Sequence, residues 1–145
     1  MAVEAGNEEK FISVMYNLSN AIKSESENCC KICGDLNEKE LFVIAFIGEN
    51  GSVKMSAIAD YLQAPLSTLT TIVDKLVANK FLLRYNSNED RRVVKVELDQ
   101  KGKDSFKELK IRRAIMAKKV LGHLSETEQL TLISNLAQLV DSIQL

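Results

Sequence analysis

Two arginines, Arg91 and Arg92, stand side by side in a polar run, Asn86-Ser-Asn-Glu-Asp-Arg-Arg92. A guanidinium stays charged at every physiological pH and donates in a planar fork. A pair of them at a turn therefore suits phosphate oxygens or the negative minor groove of a duplex. A second set lies upstream, where Ser67, Thr68, Thr70 and Thr71 crowd together and Lys75 follows one helical turn later. Short hydroxyl side chains let a helix come close to base edges while still donating to bases or phosphates. A third set brings thiols together: Cys29, Cys30 and Cys33 in Asn28-Cys-Cys-Lys-Ile-Cys-Gly34. Cys30 and Cys33 form a C-x-x-C pair, which either supplies two thiolate ligands or closes a reversible disulfide.

The neighbouring pattern says which elements must hold these groups. Val94, Val96 and Leu98 alternate with Lys95 and Glu97, the period of a half-buried strand. Phe81, Leu83 and Tyr85 alternate with Leu82 and Arg84 in the same way, so a β-hairpin is expected with the arginine pair at its tip. Further back, Met55, Ile58, Ala59 and Leu62 mark one face of a helix over residues 54–62. Gln63-Ala64-Pro65 breaks it. Proline is tolerated in a first helical turn, where its missing N–H would lack a partner anyway, so Pro65 opens a second helix. That helix runs to about Asn79, with Leu69, Ile72, Val73 and Leu76 inward and the hydroxyl set outward. The local order is helix, tight turn, helix, hairpin.

Residues 62–103 thereby resemble the winged helix-turn-helix of MarR-type transcriptional regulators. The resemblance is carried by Ser67-Thr-Leu-Thr-Thr-Ile-Val-Asp-Lys-Leu76, then Glu89-Asp-Arg-Arg92, then Leu98-Asp-Gln-Lys-Gly102. It implies a fold that is mainly α with a small β-hairpin wing, a winged helix-turn-helix flanked by N- and C-terminal dimerisation helices. It also implies a homodimer on double-stranded DNA, with Ser67, Thr68, Thr70, Thr71 and Lys75 in the major groove and Arg91 and Arg92 in the adjacent minor groove. Asp90 would orient a wing arginine through a charge-assisted hydrogen bond, and Asp74 would pair with Arg84 to lock helix to wing. Three positions depart from the family pattern. Asn79-Lys80 replaces the glycine that commonly ends the recognition helix, so Asn79 is expected in the left-handed conformation. Pro65 replaces a capping serine. Asp99 replaces the threonine that usually follows the strand leucine, and it can still cap the next helix.

The rest of the chain reads as support for this module. A chain of 145 residues with one proline is expected to form one domain, 1–145, in which 36–100 is the reader and 1–35 with 101–145 the helical dimerisation module. Phe11, Val14, Leu18 and Ile22 line one face of an N-terminal helix, as do Leu130, Ile133, Ala137, Val140 and Ile143 near the C-terminus. Between them, Phe106, Leu109, Ile111, Ile115, Met116 and Val120 spread over more than one helix face, which calls for two partners, one of them a second subunit. Two readers on a twofold axis select a pseudo-palindromic operator. Ser125 with Glu128 is a capping-box pattern for the last helix. A further helix is expected to begin after Leu36-Asn-Glu-Lys-Glu40.

Charge and chemistry narrow the classes. The net charge is −1, which favours a protein-interaction module as the alternative to a DNA binder. Distribution argues the other way: residues 1–50 carry four lysines against nine acids, whereas residues 75–95 carry six basic residues against two acids. No glycine-rich phosphate loop or histidine beside a nucleophile motif is present, so no enzyme and no cofactor is expected. No apolar run long enough for a membrane span occurs and no signal-peptide pattern opens the chain, so a cytoplasmic location is expected. Cys29, Cys30 and Cys33 are open to three readings: small apolar packing residues, a redox switch, or a thiol metal sensor completed from elsewhere. The lone histidine, His123, reads as a helix C-terminal residue. A small-molecule effector is open too, with Phe11, Phe42 and Phe46 as a lining or simply as core.

Overall fold

The computed structural model describes residues 6–32 and 36–143, with side chains outside 26–32. Helix α1 (Asn7–Ile32) is followed by α2 (Glu38–Asn50), a two-residue strand β1 (Val53–Lys54), α3 (Met55–Leu62) and α4 (Leu66–Ala78). Strands β2 (Leu82–Asn86) and β3 (Val94–Leu98), then helices α5 (Gln100–Leu121) and α6 (Glu126–Ile143), complete it. The mainly helical winged fold expected from the pattern is the one observed. Contacts divide the chain into two compact units, Met1–Leu109 and Lys110–Leu145.

In the first unit the core is built from α2, α3, α4 and the sheet. Val43, Ile44, Ile47, Ile58, Leu69, Val73, Leu76, Leu82 and Val96 are buried almost completely. Each such side chain contributes roughly 1.5–3 kcal/mol by leaving water. The sheet has three strands in the order β1-β3-β2, all antiparallel, with Val53 opposite Val96 and Leu82 opposite Leu98. The expected hairpin is thus β2–β3, and β1 is an addition: two residues are too few to show a period. On the first arm Phe81 and Leu82 are both buried in the core, while Leu83 and Tyr85 stay exposed. At the base of the sheet Ser52 Oγ and Tyr85 Oη lie 2.5 Å apart.

Helix α2 starts at Glu38, earlier than the sequence pattern suggests. Asn37 Oδ1 accepts from the Glu40 N–H at 2.9 Å and Glu40 Oε2 accepts from the Asn37 N–H at 3.0 Å, a reciprocal cap that draws residues 38–40 into the first turn. The three departures from the family pattern resolve as follows. Pro65 stands just outside α4 and offers no side-chain cap. Asp99 Oδ1 accepts from the Gln100 N–H at 2.7 Å, the first N–H of α5, and not from the second or third N–H that a side-chain cap holds. Lys80, with φ 63°, takes the left-handed conformation in place of the expected Asn79, whose φ is −90°. Its neighbours explain why: the Phe81 N–H reaches Leu76 O at 2.9 Å and the Lys80 N–H reaches Val77 O at 3.0 Å. Those two bonds form the Schellman end of α4, and they require the positive φ one residue after the cap.

In α1, Phe11, Val14, Leu18 and Ile22 form the expected stripe and all are exposed. In the second unit, Leu130, Ile133, Val140 and Ile143 of α6 are exposed likewise, as are Ile111, Ile115 and Val120. The capping box is present: the Ser125 N–H donates to Glu128 Oε2 at 2.8 Å, and the Glu128 N–H to Ser125 Oγ at 3.4 Å. His123, read as a helix C-terminal residue, lies two residues beyond the end of α5, in the turn that leads to α6. Cys33 lies outside the described residues, and Cys29 and Cys30 are described only as backbone of α1, so the cysteine readings are left where the sequence put them. No helix among the described residues is long and apolar enough to cross a membrane.

Two measurements follow from this packing. A Cβ on Gly102, in the first turn of α5, would lie 2.1 Å from the Phe81 carbonyl oxygen, a backbone atom that cannot swing away. Gly102→Ala is expected to lower unfolding free energy by about 1–3 kcal/mol in urea titrations, a cost typical of overpacking. The backbone N–H of Ser125, and then its hydroxyl, hold the Glu128 carboxyl below its ordinary 4.5. This contribution is complete above that value and disappears as pH falls through the lowered one. Amide exchange at the start of α6 should therefore accelerate on acidification in the wild type, and Glu128→Ala should remove most of that pH dependence.

Candidate nucleic-acid interface

Successive helical residues are about 100° apart. Burying Leu69, Val73 and Leu76 therefore fixes which way every other residue of α4 points. Ser67 and Thr71 fall opposite the buried stripe and are exposed, as is Thr68. Thr70 lies on the flank and is half-buried. Thr70 Oγ1 donates to Leu66 O at 2.8 Å and Thr71 Oγ1 to Ser67 O at 3.2 Å. Both hydroxyls thereby donate to the preceding turn of their own helix. The outward surface is short, polar and free of bulk, as a helix lying close to base edges requires.

Asp74 and Lys75 stand on opposite flanks of this surface and each is tied down. Arg84 Nη1 of β2 donates to Asp74 Oδ1, so the expected helix-to-wing pair is present. Both partners are substantially exposed, and such a pair is worth roughly 0.2–1 kcal/mol. Lys75 Nζ is 2.6 Å from Glu40 Oε1 of α2. Glu40 is 2% exposed, and its other oxygen already closes the cap at Asn37. Lys75, expected in the groove-facing set, is exposed but paired with this buried carboxylate of α2. The physical reason is that a buried carboxylate needs a counter-charge far more than a solvated ammonium needs a phosphate. Glu40 was missed in the sequence; the Asn37-x-x-Glu40 capping pattern was the signal that could have found it.

The wing tip is an ordered turn rather than a loose loop. The Ser87 N–H donates to Val93 O at 2.8 Å, the Val93 N–H to Asp90 O at 2.9 Å, and Asn86 Nδ2 to Arg91 O at 2.9 Å. Ser87 is buried, and its Oγ accepts from the Glu89 N–H at 3.3 Å. Asp90 Oδ1 accepts from the backbone N–H of Arg92 at 3.0 Å. Its bond is to main chain, where a guanidinium partner had been expected. Asp90 thus shapes the turn from which Arg91 and Arg92 project, and both arginines are exposed. Asn86 and Ser87 are the other tip residues that the sequence reading passed over, since neither carries charge or periodicity. Asp90→Ala is expected to change global stability by less than about 1 kcal/mol. It should nevertheless speed amide exchange at Arg92, and an unchanged exchange rate would show that the bond is not maintained in solution.

The geometry can be set beside known proteins. The MarR family model matches residues 36–94. The transcriptional repressor MdtR of Bacillus subtilis is 37% identical over 92 residues, which is 63% of this chain and 59% of that protein, so the chain spans less than two thirds of this relative. The crystal structure of YusO from Bacillus subtilis is 28% identical and superposes with a TM-score of 0.69, covering 94% of this chain and 99% of that one. FabT of Streptococcus pneumoniae, crystallised in complex with DNA, is 25% identical with a TM-score of 0.77 over 93% of this chain and 94% of its own. With the wing, the exposed hydroxyl helix and these likenesses together, residues 36–94 form a winged helix-turn-helix domain of the MarR family.

Proposed function

We propose that this protein is a homodimeric, sequence-specific DNA-binding regulator that represses transcription from a pseudo-palindromic operator. The observation that carries the reading is the pairing of an exposed hydroxyl surface on α4 with an ordered turn presenting Arg91 and Arg92. The helix enters the major groove, where Ser67, Thr68 and Thr71 meet base edges and the sugar-phosphate chain, and Thr70 contributes from the flank. Arg91 and Arg92 enter the adjacent minor groove, where a narrow groove concentrates negative potential. The complex of FabT with DNA and the repressor MdtR support this assignment by likeness.

The dimer rests on a different observation. A monomer rarely leaves apolar faces as extensive as those of α1 and α6 in water. Phe11, Val14 and Ile22 on α1 are each about half exposed or more, and so are Leu130, Ile133 and Ile143 on α6. A second copy covers them, and two readers on one twofold axis set the half-site spacing. The operator affinity is open to modulation by a small molecule or by oxidation of Cys29, Cys30 and Cys33, through a change in the distance between the two reading helices. The cytoplasm is the compartment this role requires.

The decisive measurement is a titration of DNA flanking the protein's own gene at several salt concentrations. Arg91→Ala and Arg92→Ala should each weaken binding and reduce the slope of log affinity against log salt by up to about 0.9, the value for one phosphate-equivalent contact. Light scattering should show both variants still dimeric. Unchanged affinity in both would remove the wing from the interface.

A further inference from the structure

The pairing of Glu40 with Lys75 has a role that the reading of the interface does not use. We propose that Glu40 is a positioning residue that withholds Lys75 from DNA phosphate and fixes the recognition helix against α2; this rests on the DNA-binding reading above. One carboxylate serves two elements. Its Oε2 closes the N-terminal cap of α2 by accepting from Asn37 N–H at 3.0 Å, and its Oε1 accepts from Lys75 Nζ at 2.6 Å. Glu40 is 2% exposed whereas the Lys75 side chain is 57% exposed, so the two partners have unequal alternatives.

The inequality decides which partner holds the other. Lys75 can exchange Glu40 for water or phosphate at little cost to itself, since its ammonium already reaches solvent. Glu40 cannot: with Lys75 gone, a buried carboxylate keeps only the Asn37 N–H, and an unpaired buried charge is strongly unfavourable. Any phosphate that captures Lys75 must therefore also compensate the stranded carboxylate. Phosphate contacts carry no sequence information, so removing a lysine from that set trims the sequence-blind part of the affinity. The same bond anchors α4 on the flank opposite the Asp74–Arg84 pair, so the reading helix is tied on both sides, to α2 and to β2.

Glu40→Gln is the informative variant. Glutamine retains an oxygen for the Asn37 cap, as capping boxes accept either residue, but removes the charge that holds Lys75. The probe is a mixed-sequence duplex titrated over a range of salt, so no operator need be known. Glu40→Gln is expected to bind it more tightly at low salt than wild type does. Its slope of log affinity against log salt should be steeper by about 0.9, one additional phosphate contact. The double variant Glu40→Gln with Lys75→Gln should return to the wild-type slope. A wild-type slope that exceeds the double variant's by about 0.9 would show Lys75 already on phosphate and overturn the proposal. An unchanged slope in Glu40→Gln would overturn it as well.

Melting temperatures of wild type, both single variants and the double variant, taken without DNA, test the pair by itself. Non-additive shifts are expected, and additive shifts would mean that the pair does not form. If wild type binds no duplex even at low salt while the melting shifts are non-additive, the DNA-binding reading fails although the pair stands, and the withholding role falls with it.

Discussion

The burial of one stripe of α4 is the constraint from which the rest of the molecule follows. Leu69, Val73 and Leu76 are removed from water almost completely, and a helix has no freedom left once three residues spaced over two turns are fixed. The outward direction of Ser67 and Thr71 is a by-product of that packing, not a separate design. The Schellman end at Lys80 and Phe81 then turns the chain straight into β2, so the distance from reading helix to wing is set by covalent length and two backbone hydrogen bonds. Gly102, packed onto the Phe81 carbonyl, closes the same corner from the α5 side.

Electrostatics in this chain is a matter of assignment more than of quantity. The whole molecule is nearly neutral at −1, and the six basic residues between 75 and 95 look like a ready cationic patch. Folding assigns two of them elsewhere: Lys75 to a buried glutamate and Arg84 to Asp74. Of the four that remain, Lys80 stands at the Schellman end of α4 and Lys95 lies on β3, while Arg91 and Arg92 stand together on a turn braced by Asp90, Asn86 and Ser87. A few well-placed guanidinium groups can act locally where summed charge would suggest no attraction, because screening confines each exposed charge to about 10 Å.

The helices outside the reader carry the opposite kind of information. Apolar side chains on α1 and α6 are held at regular helical spacing yet lie in water. Burial elsewhere in the first unit is efficient, so these faces are a surplus that only another surface can use. In the dimer proposed above, a second copy of the chain uses that surplus.

Much of this was legible in the residues alone. The 3.6-residue period of Leu69, Ile72, Val73 and Leu76 located the reading helix. The two-residue period of Val94, Val96 and Leu98 located a wing strand, and Ser125 with Glu128 marked the start of α6. These are local signals: each depends on neighbours within one or two turns, so sequence by itself determined them. The tertiary structure decided everything that depends on a distant partner. Lys75 reads as a free cation until Glu40, 35 residues away, is folded beneath it. Strand β1 exists only because Val53 finds Val96. Lys80 rather than Asn79 takes the left-handed turn because Phe81 must reach both Leu76 and the core. A sequence records which groups are available, whereas the energy of a buried charge or an added strand is set by what packs against it.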